Sequence, residues 1–414
     1  MNDTAQAASG PLYAPYDSAE ESEAAYAKYV SPSHAQMLKA ADFLNIHYGA
    51  RENARVQDVY SDEWFWDCHR NGSKFNLGHR NPAVMEALRS AVDGIDAGSF
   101  FQLSGHRARL AEKLAASTDG QLPMVTFGVG GADAIEIAVH AARNHTKRKT
   151  FVAIDQTSYH GATDLCLSLS GNSARQRKRY GVETPNVTFV PFNDIGAMTA
   201  AITEQTAAVV MEPSPAQGGF PEPDAGYLAA VKRACAEKGA VFIMDEVQTG
   251  LGATGSVWAY QQYGFVPDIV CTGKGLGGGV YPISAALMSE AVGRSYTEGQ
   301  LIPHESTYAG ADIGCVVGAA VLDITLDPDF LARVRDLSAR FATGFEDLPL
   351  EVTQIGLCMG LRTPNPLKTA AQLLAQNVLV VPSADDDVVP FRPILTLSDE
   401  DADDIIQRVC TALA

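Results

Sequence analysis

Positive charge is in short supply. The 414 residues hold 31 Lys and Arg against 49 Asp and Glu, a formal charge of −18. A surface of that sign repels nucleic-acid phosphates and anionic lipid headgroups, so neither is an expected partner. No stretch approaches the roughly 18 consecutive apolar residues of a membrane span, and residues 1–6 supply neither the basic nor the apolar part of a secretory leader. The seven cysteines (68, 166, 235, 271, 315, 358 and 410) are odd in number, scattered and without a C-x-x-C pair. That usage argues for reduced thiols in the cytoplasm, and no metal is expected. Internal repeats and low-complexity linkers are also missing.

With 46% hydrophobic residues, the chain can build one large core and a smaller domain. Short apolar runs alternate with helical patterns from residue 125 onward. Strands are expected at 125–127, 150–154, 187–190, 207–211, 241–244 and 269–272, with a helix over 133–143. This alternation predicts an α/β fold, a mostly parallel sheet with helices on both faces. Earlier, 56–67 alternates polar and apolar residues like one strand, with Trp64 and Trp66 on a common face. Helical spacing covers 82–116, interrupted at 98–101. After about 322 come a helix, a strand near 352–360 and a last helix over 400–413 with Ser398 as its cap.

Two strand ends stand out. The run Val241 to Met244 closes in Asp245-Glu246, and the strand ending at Thr272 is followed by Gly273-Lys274-Gly275. Open α/β sheets bind ligands at such carboxyl edges. A lysine and a carboxylate there suit pyridoxal 5′-phosphate (PLP), which takes a lysine as Schiff-base partner and a carboxylate to hold its ring nitrogen protonated. Taken singly, Lys274 reads as a surface residue of a glycine-rich turn and Asp245 as a helix cap; together, on consecutive strands, they point to the cofactor.

The stretches Asp245-Glu246-Val247-Gln248-Thr249-Gly250, Pro267-Asp268, Gly273-Lys274-Gly275-Leu276-Gly277 and Pro282-Ile283 resemble the signature of the class III, omega-amino-acid-type aminotransferases, PLP enzymes of fold type I, with further matches from about 78 to 310. The resemblance implies a homodimer with shared active sites. It also implies a large domain over 76–320, a small C-terminal domain over 321–414, and an N-terminal segment, 1–75, that joins the small domain and dimer contacts. Tyr13 and Tyr16 then lie near an active-site mouth or simply pack. His79, in Asn76-Leu77-Gly78-His79, is expected to be structural, and Phe75 beside it to line the substrate entrance.

Carried onto this chain, the family pattern makes Lys274 the Schiff-base lysine and proton carrier, and Asp245 the partner of the ring nitrogen. Gln248 becomes the donor to the ring hydroxyl, and Tyr159-His160 the aromatic pair at the ring. Glu212 is placed near the substrate amine, and Gly130, Gly131 and Ala132 at the phosphate. Ser306 and Thr307, in His304-Glu305-Ser306-Thr307, reach the neighbouring subunit's phosphate. Three departures are visible. The phosphate turn lacks the hydroxyls of the family's Ser-Gly-Ser/Thr, and Ala253 replaces an arginine. The family's carboxylate-binding arginine aligns with Pro390, while Arg392 sits two residues on, as either a carboxylate clamp or a structural ion pair. Three functions are compatible: amino transfer between a small amine or amino acid and a keto acid; another PLP reaction (racemisation, decarboxylation, or β/γ elimination or replacement with carbon–carbon bond formation) in specialised biosynthesis; or a binding protein on an inactive fold.

Overall fold

The computed structural model describes residues 14–40, 46–383 and 387–414; Tyr13 lies outside them. Residues 56–67 are two strands, not one. β1 (Tyr48–Glu52), β2 (Arg55–Asp58) and β3 (Trp64–Asp67) form an antiparallel meander. The reversal between β2 and β3 includes Asp62 in the left-handed region, φ +60°. The turn is the polar run Ser61-Asp62-Glu63, where the alternation breaks, and Val56 of β2 pairs with Phe65 of β3. Trp66 is buried, its indole N–H donating to Asp404 at 2.8 Å, whereas Trp64 is half-buried.

The large sheet comprises β4 (Met124–Gly128), β5 (Thr150–Ile154), β6 (Val187–Val190), β7 (Thr206–Met211), β8 (Val241–Asp245), β9 (Ile269–Thr272) and β10 (Ser284–Met288). Its spatial order is β4-β10-β9-β8-β7-β5-β6; β10 runs antiparallel to both neighbours and the other pairings are parallel. Successive side chains feed two different cores. Val209, Met211, Phe242, Met244 and Val270 pack into one, and Ala208, Val210, Val241, Ile243 and Ile269 into the other. A strand buried on both faces reads as an unbroken apolar run, which is why these strands were legible from composition.

The remaining strands are β11 (Val352–Ile355), β12 (Cys358–Arg362), β13 (Val378–Leu379) and β14 (Val388–Phe391). The single strand expected near 352–360 is the hairpin β11–β12, turning at Gly356. There φ is +61°, and a Cβ would lie 2.4 Å from the Thr254 Cα, so the turn needs glycine. The helix expected from 322 is in fact two, Asp312–Thr325 and Pro328–Gly344, separated where Asp327 caps the second and Pro328 opens it. A third core joins chain ends. Trp66 and Cys68 pack with Leu337 and Phe341, Phe391, and Ile405 and Val409 of the final helix Asp399–Leu413. β13 also pairs in parallel with β3. Near the start, helix Ala19–Tyr29 has a Ser18 cap yet buries none of its residues, and Tyr29 is 74% exposed.

Candidate active site

Backbone pairing brings the two strand ends together. Asp245 lies opposite Cys271, and the Glu246 N–H donates to the Cys271 carbonyl at 2.9 Å. Lys274, three residues beyond that pair, opens the short turn Lys274–Gly277. Its φ is +41°, a left-handed backbone that costs a side-chain-bearing residue roughly 1–2 kcal/mol. Such an outlier points to a residue held for function. Gly273 passes so near the Gly130-Gly131 turn that a Cβ would lie 3.2 Å from the Gly131 nitrogen.

A cavity of about 280 Å³ is lined by Gly130, Gly131, Ala132, Tyr159, His160, Glu212, Asp245, Val247, Gln248 and Lys274, with Gly161 and Ala162. The chain thus gathers into one wall residues from five separate stretches expected to act together. Helix Gly131–Thr146 begins at this wall with Gly130 as its cap and no side chain bonded to its first N–H groups. Such a start accepts an anion from backbone donors alone. A Cβ on Gly131 would meet the Val247 Cγ1 at 2.9 Å, so the turn and Val247 close on each other.

Buried Asp245 accepts from the Val247 N–H at 3.0 Å through Oδ1, and its Oδ2 lies 2.7 Å from His160 Nδ1. His160 Nε2 is buried without a partner. His160 therefore fixes one carboxylate oxygen and leaves a ring nitrogen open beside the cavity. Glu212 accepts the Tyr159 and Ala216 N–H groups, each at 3.2 Å. Burial, reinforced by the Asp245 charge, pushes its carboxyl up to about 7. Burial, with the Arg392 guanidinium near, brings the Lys274 amine down to about 8. An amine so shifted is available as a neutral nucleophile and base near neutrality.

Arg392 fits neither role expected of it. It is buried and, among the described residues, forms no ion pair; it donates from Nη1 to Gln248 Oε1 at 2.9 Å and contacts His69 Nδ1 at 3.4 Å. Burial lowers the His69 ring to about 3, so it meets the guanidinium as a neutral acceptor. Arg392 does not line the cavity. It stands behind Gln248, a residue of the cavity wall, and takes the amide oxygen, so the amide NH₂ remains to donate elsewhere. Arg392→Met is expected to weaken cofactor retention about 10–100-fold, the usual cost of losing a group that orients a ligand; equilibrium dialysis of the variant checks it. Phe75 is also displaced from its expected place. It packs on His79, ring centroids 4.0 Å apart, beneath Gly279, outside the cavity wall. His79 is structural, its Nε2 2.8 Å from Asp67. Tyr16 lines no part of the cavity; its carbonyl accepts from Tyr60. Ser306 is half-buried and Thr307 exposed, and neither lines the cavity of its own chain.

Val247, His69 and Lys74 were missed. Val247 could have been found, since it lies inside the quoted motif between Asp245 and Gln248. His69 carries no local signal. Glu246, the second acid of the pair, points away, accepting from Thr249 Oγ1 at 2.6 Å and the Tyr260 N–H at 2.9 Å. Burial pushes its carboxyl from 4.5 up to about 7. The folded state therefore holds this proton more tightly than the unfolded chain, and that stabilisation is lost as pH rises from 4.5 through 7. Glu246→Gln removes the loss, so the variant gains stability relative to the parent by on the order of 3 kcal/mol more at pH 8 than at pH 4. Urea unfolding at both pH values measures it.

Solved structures with this architecture include the ornithine aminotransferase of Toxoplasma gondii, 25% identical, TM-score 0.81, over 88% of this chain and 89% of that one. Another is the acetylornithine aminotransferase of Elizabethkingia anophelis, 25% identical, TM-score 0.78, over 89% and 94%. The fold is that of the PLP-dependent aminotransferases, fold type I. The class-III aminotransferase model matches residues 39–413, and this chain belongs to that family. Relatives include an uncharacterized aminotransferase of Archaeoglobus fulgidus, 37% identical over 94% of this chain and 93% of its own length. The acetylornithine aminotransferase of Methanosarcina mazei is 32% identical over 96% and 97%. The ornithine aminotransferase of Macrococcus caseolyticus is 33% identical over 90% and 98%. Amino transfer is thus the family's reaction, in preference to the other PLP chemistries.

Proposed function

We infer that this chain binds PLP in the 280 Å³ cavity and moves an amino group between a small amine or amino acid and a keto acid. The observation that carries the reading is the convergence of Lys274, Asp245 and Gln248 on one cavity whose remaining wall is the uncapped glycine turn. The vacant donors fit the group: free N–H groups for a phosphate, the Gln248 NH₂ for a hydroxyl, and a buried carboxylate for a protonated ring nitrogen. Bound there, PLP supplies a carbonyl for amine condensation and a ring that draws electrons from the adjacent carbon. Lys274 would hold it covalently, then as a free amine carry a proton between two carbons. Asp245, fixed by His160 and the Val247 N–H, keeps a negative charge in place at no reorganisation cost. Tyr159 and Val247 present the apolar surfaces, Glu212 lies by the reacting amine, and Gly130, Gly131, Ala132 and His160 complete the set.

The reading includes a homodimer in which Ser306 and Thr307 serve the neighbouring site. Its support is an apolar surface on the loops around 99–103 and 301–308: Phe101 is 60% exposed, Leu103 wholly, Leu301 84% and Tyr308 61%. The loops are tied by Arg107 donating to the Gly310 carbonyl. The division at about 75 and 320 belongs to the same reading, as does a cytoplasmic, biosynthetic setting, supported by seven unpaired cysteines, six of them buried. Among the described residues no helix is long and apolar enough to cross a membrane.

The test is a titration of purified protein with PLP, followed by absorption. A visible band should saturate at one equivalent per chain, disappear on addition of an amino donor and return with a keto acid. Failure to form that band at saturating PLP overturns the reading.

A further inference from the structure

Lys274 separates two cavities. Besides the one described, a second of about 350 Å³ is lined by Lys74, Val129, Gly130, Gly131 and Lys274 with the segment 279–283. The walls differ in charge. Glu212 and Asp245 face the first cavity, whereas among the described residues no carboxylate lines the second, and its charged residues there are Lys274 and Lys74. Lys74 is half-buried, and among the described residues it makes no ion pair. Its ammonium lies 4.6 Å from the centre of the Phe75 ring, which supports it as a cation–π platform. Phe75 is itself pinned under Gly279, where a Cβ would stand 2.3 Å from a ring carbon.

The other charges facing Lys74 do not neutralise it. Asp67 is the nearby acid, but Oδ2 is taken by His79, and Oδ1 by the His69 and Arg70 N–H groups. Arg51 adds a second positive charge and pairs with no acid among the described residues. An unpaired, part-desolvated cation in a chain of net charge −18 is a site for an anion. The family position for a carboxylate-binding arginine holds Pro390, and Arg392 is spent on Gln248. Among the described residues, Lys74 is therefore the one cation besides Lys274 that lines this cavity.

We propose that the second cavity is the substrate side of the site and that Lys74 binds the carboxylate of the amino and keto acids there, making this an enzyme for carboxylate-bearing rather than plain amines. The inference rests on the cofactor reading above. A substrate whose amine meets Lys274 extends past Gly279 and Tyr281 with its carboxylate toward Lys74. One ammonium contributes a single-point contact, so geometry along the cavity matters less than with a forked guanidinium, and chain length should be read loosely.

The test uses holoenzyme, Lys74→Met and Lys74→Arg, with 5-aminopentanoate and pentylamine, which differ only in the carboxylate, and with unreactive glutarate as a binding probe. In Lys74→Met the ratio of kcat/KM for 5-aminopentanoate over pentylamine should fall about 10–100-fold, mainly through KM. Glutarate binding, measured by calorimetry, should weaken by a similar factor, and Lys74→Arg should restore most of both. The visible cofactor band should persist in each variant. Glutarate binding equally to parent and Lys74→Met, or to neither, overturns the proposal. Loss of the band in Lys74→Met also overturns it, by assigning Lys74 to the cofactor phosphate. Absence of the band in the parent instead sinks the cofactor reading, and this inference with it.

Discussion

Lys274→Ala is expected to lower amino transfer about 10,000-fold or more, because in the proposed reaction one amine would serve as both covalent anchor and proton carrier, and losing either alone would stop turnover. Added small amines should recover a few per cent of the rate at most, since they regain the base without its position. A second readout separates chemistry from folding. Borohydride reduction should fix PLP onto the peptide containing Lys274 in the parent and onto no peptide in the variant. The sign of the stability change is also set. Burial holds the Lys274 amine at about 8 against 10.5 for an exposed lysine, so folding expels its proton, and the stability it allows at high pH is lost as pH falls through 8. The cofactor-free variant should therefore gain on the cofactor-free parent as pH falls from 10.5 to 8. Turnover within tenfold of the parent would remove Lys274 from the mechanism.

Asp245→Asn should leave the cavity filled but cost about 100–1,000-fold in kcat, the price of deleting one preorganised charge. The fold tolerates the change because His160 can switch tautomer: Nδ1, 2.7 Å away, accepts from the new amide instead of donating to a carboxylate. Cofactor binding should persist, with an altered absorption band, and stopped-flow measurement should place the loss in the proton-transfer step rather than in amine binding. A rate within fivefold of the parent would contradict the assignment.

How much of this was readable beforehand depended on how local each feature is. Asp245 and Lys274 were legible because each ends a strand buried on both faces, and an apolar run closed by a polar residue is visible in a few positions. Gly130 and Gly131 were legible through the turn they open. The β2–β3 reversal reads as one strand, although the polar run Ser61-Asp62-Glu63 marks it and the pairing of Val56 with Phe65 shifts the parity of the buried face across it. Helix Ala19–Tyr29 was missed because it buries nothing and so carries no apolar period. Arg392 and Phe75 were misplaced for another reason. Their partners, Gln248 and Gly279, are distant in sequence, and nothing near residue 392 says which way a guanidinium will turn. Lys74 stood beside Phe75, yet what sets it apart is that among the described residues no acid pairs with it, since the nearby Asp67 is taken by His79, His69 and Arg70, and that appears only in three dimensions.

The Arg392–Gln248 hydrogen bond spans 144 positions of the chain, and the Trp66–Asp404 bond 338. On a ribosome adding about 5–20 residues per second, the large sheet is complete many seconds before Arg392, the strut behind Gln248, emerges, and the first three strands wait still longer for β13. Tight capture of PLP thus becomes a late event in the life of the nascent chain. Cofactor occupancy would then report that synthesis has reached its end, and chains cut short by even 30 residues should emerge pale and vulnerable to proteolysis.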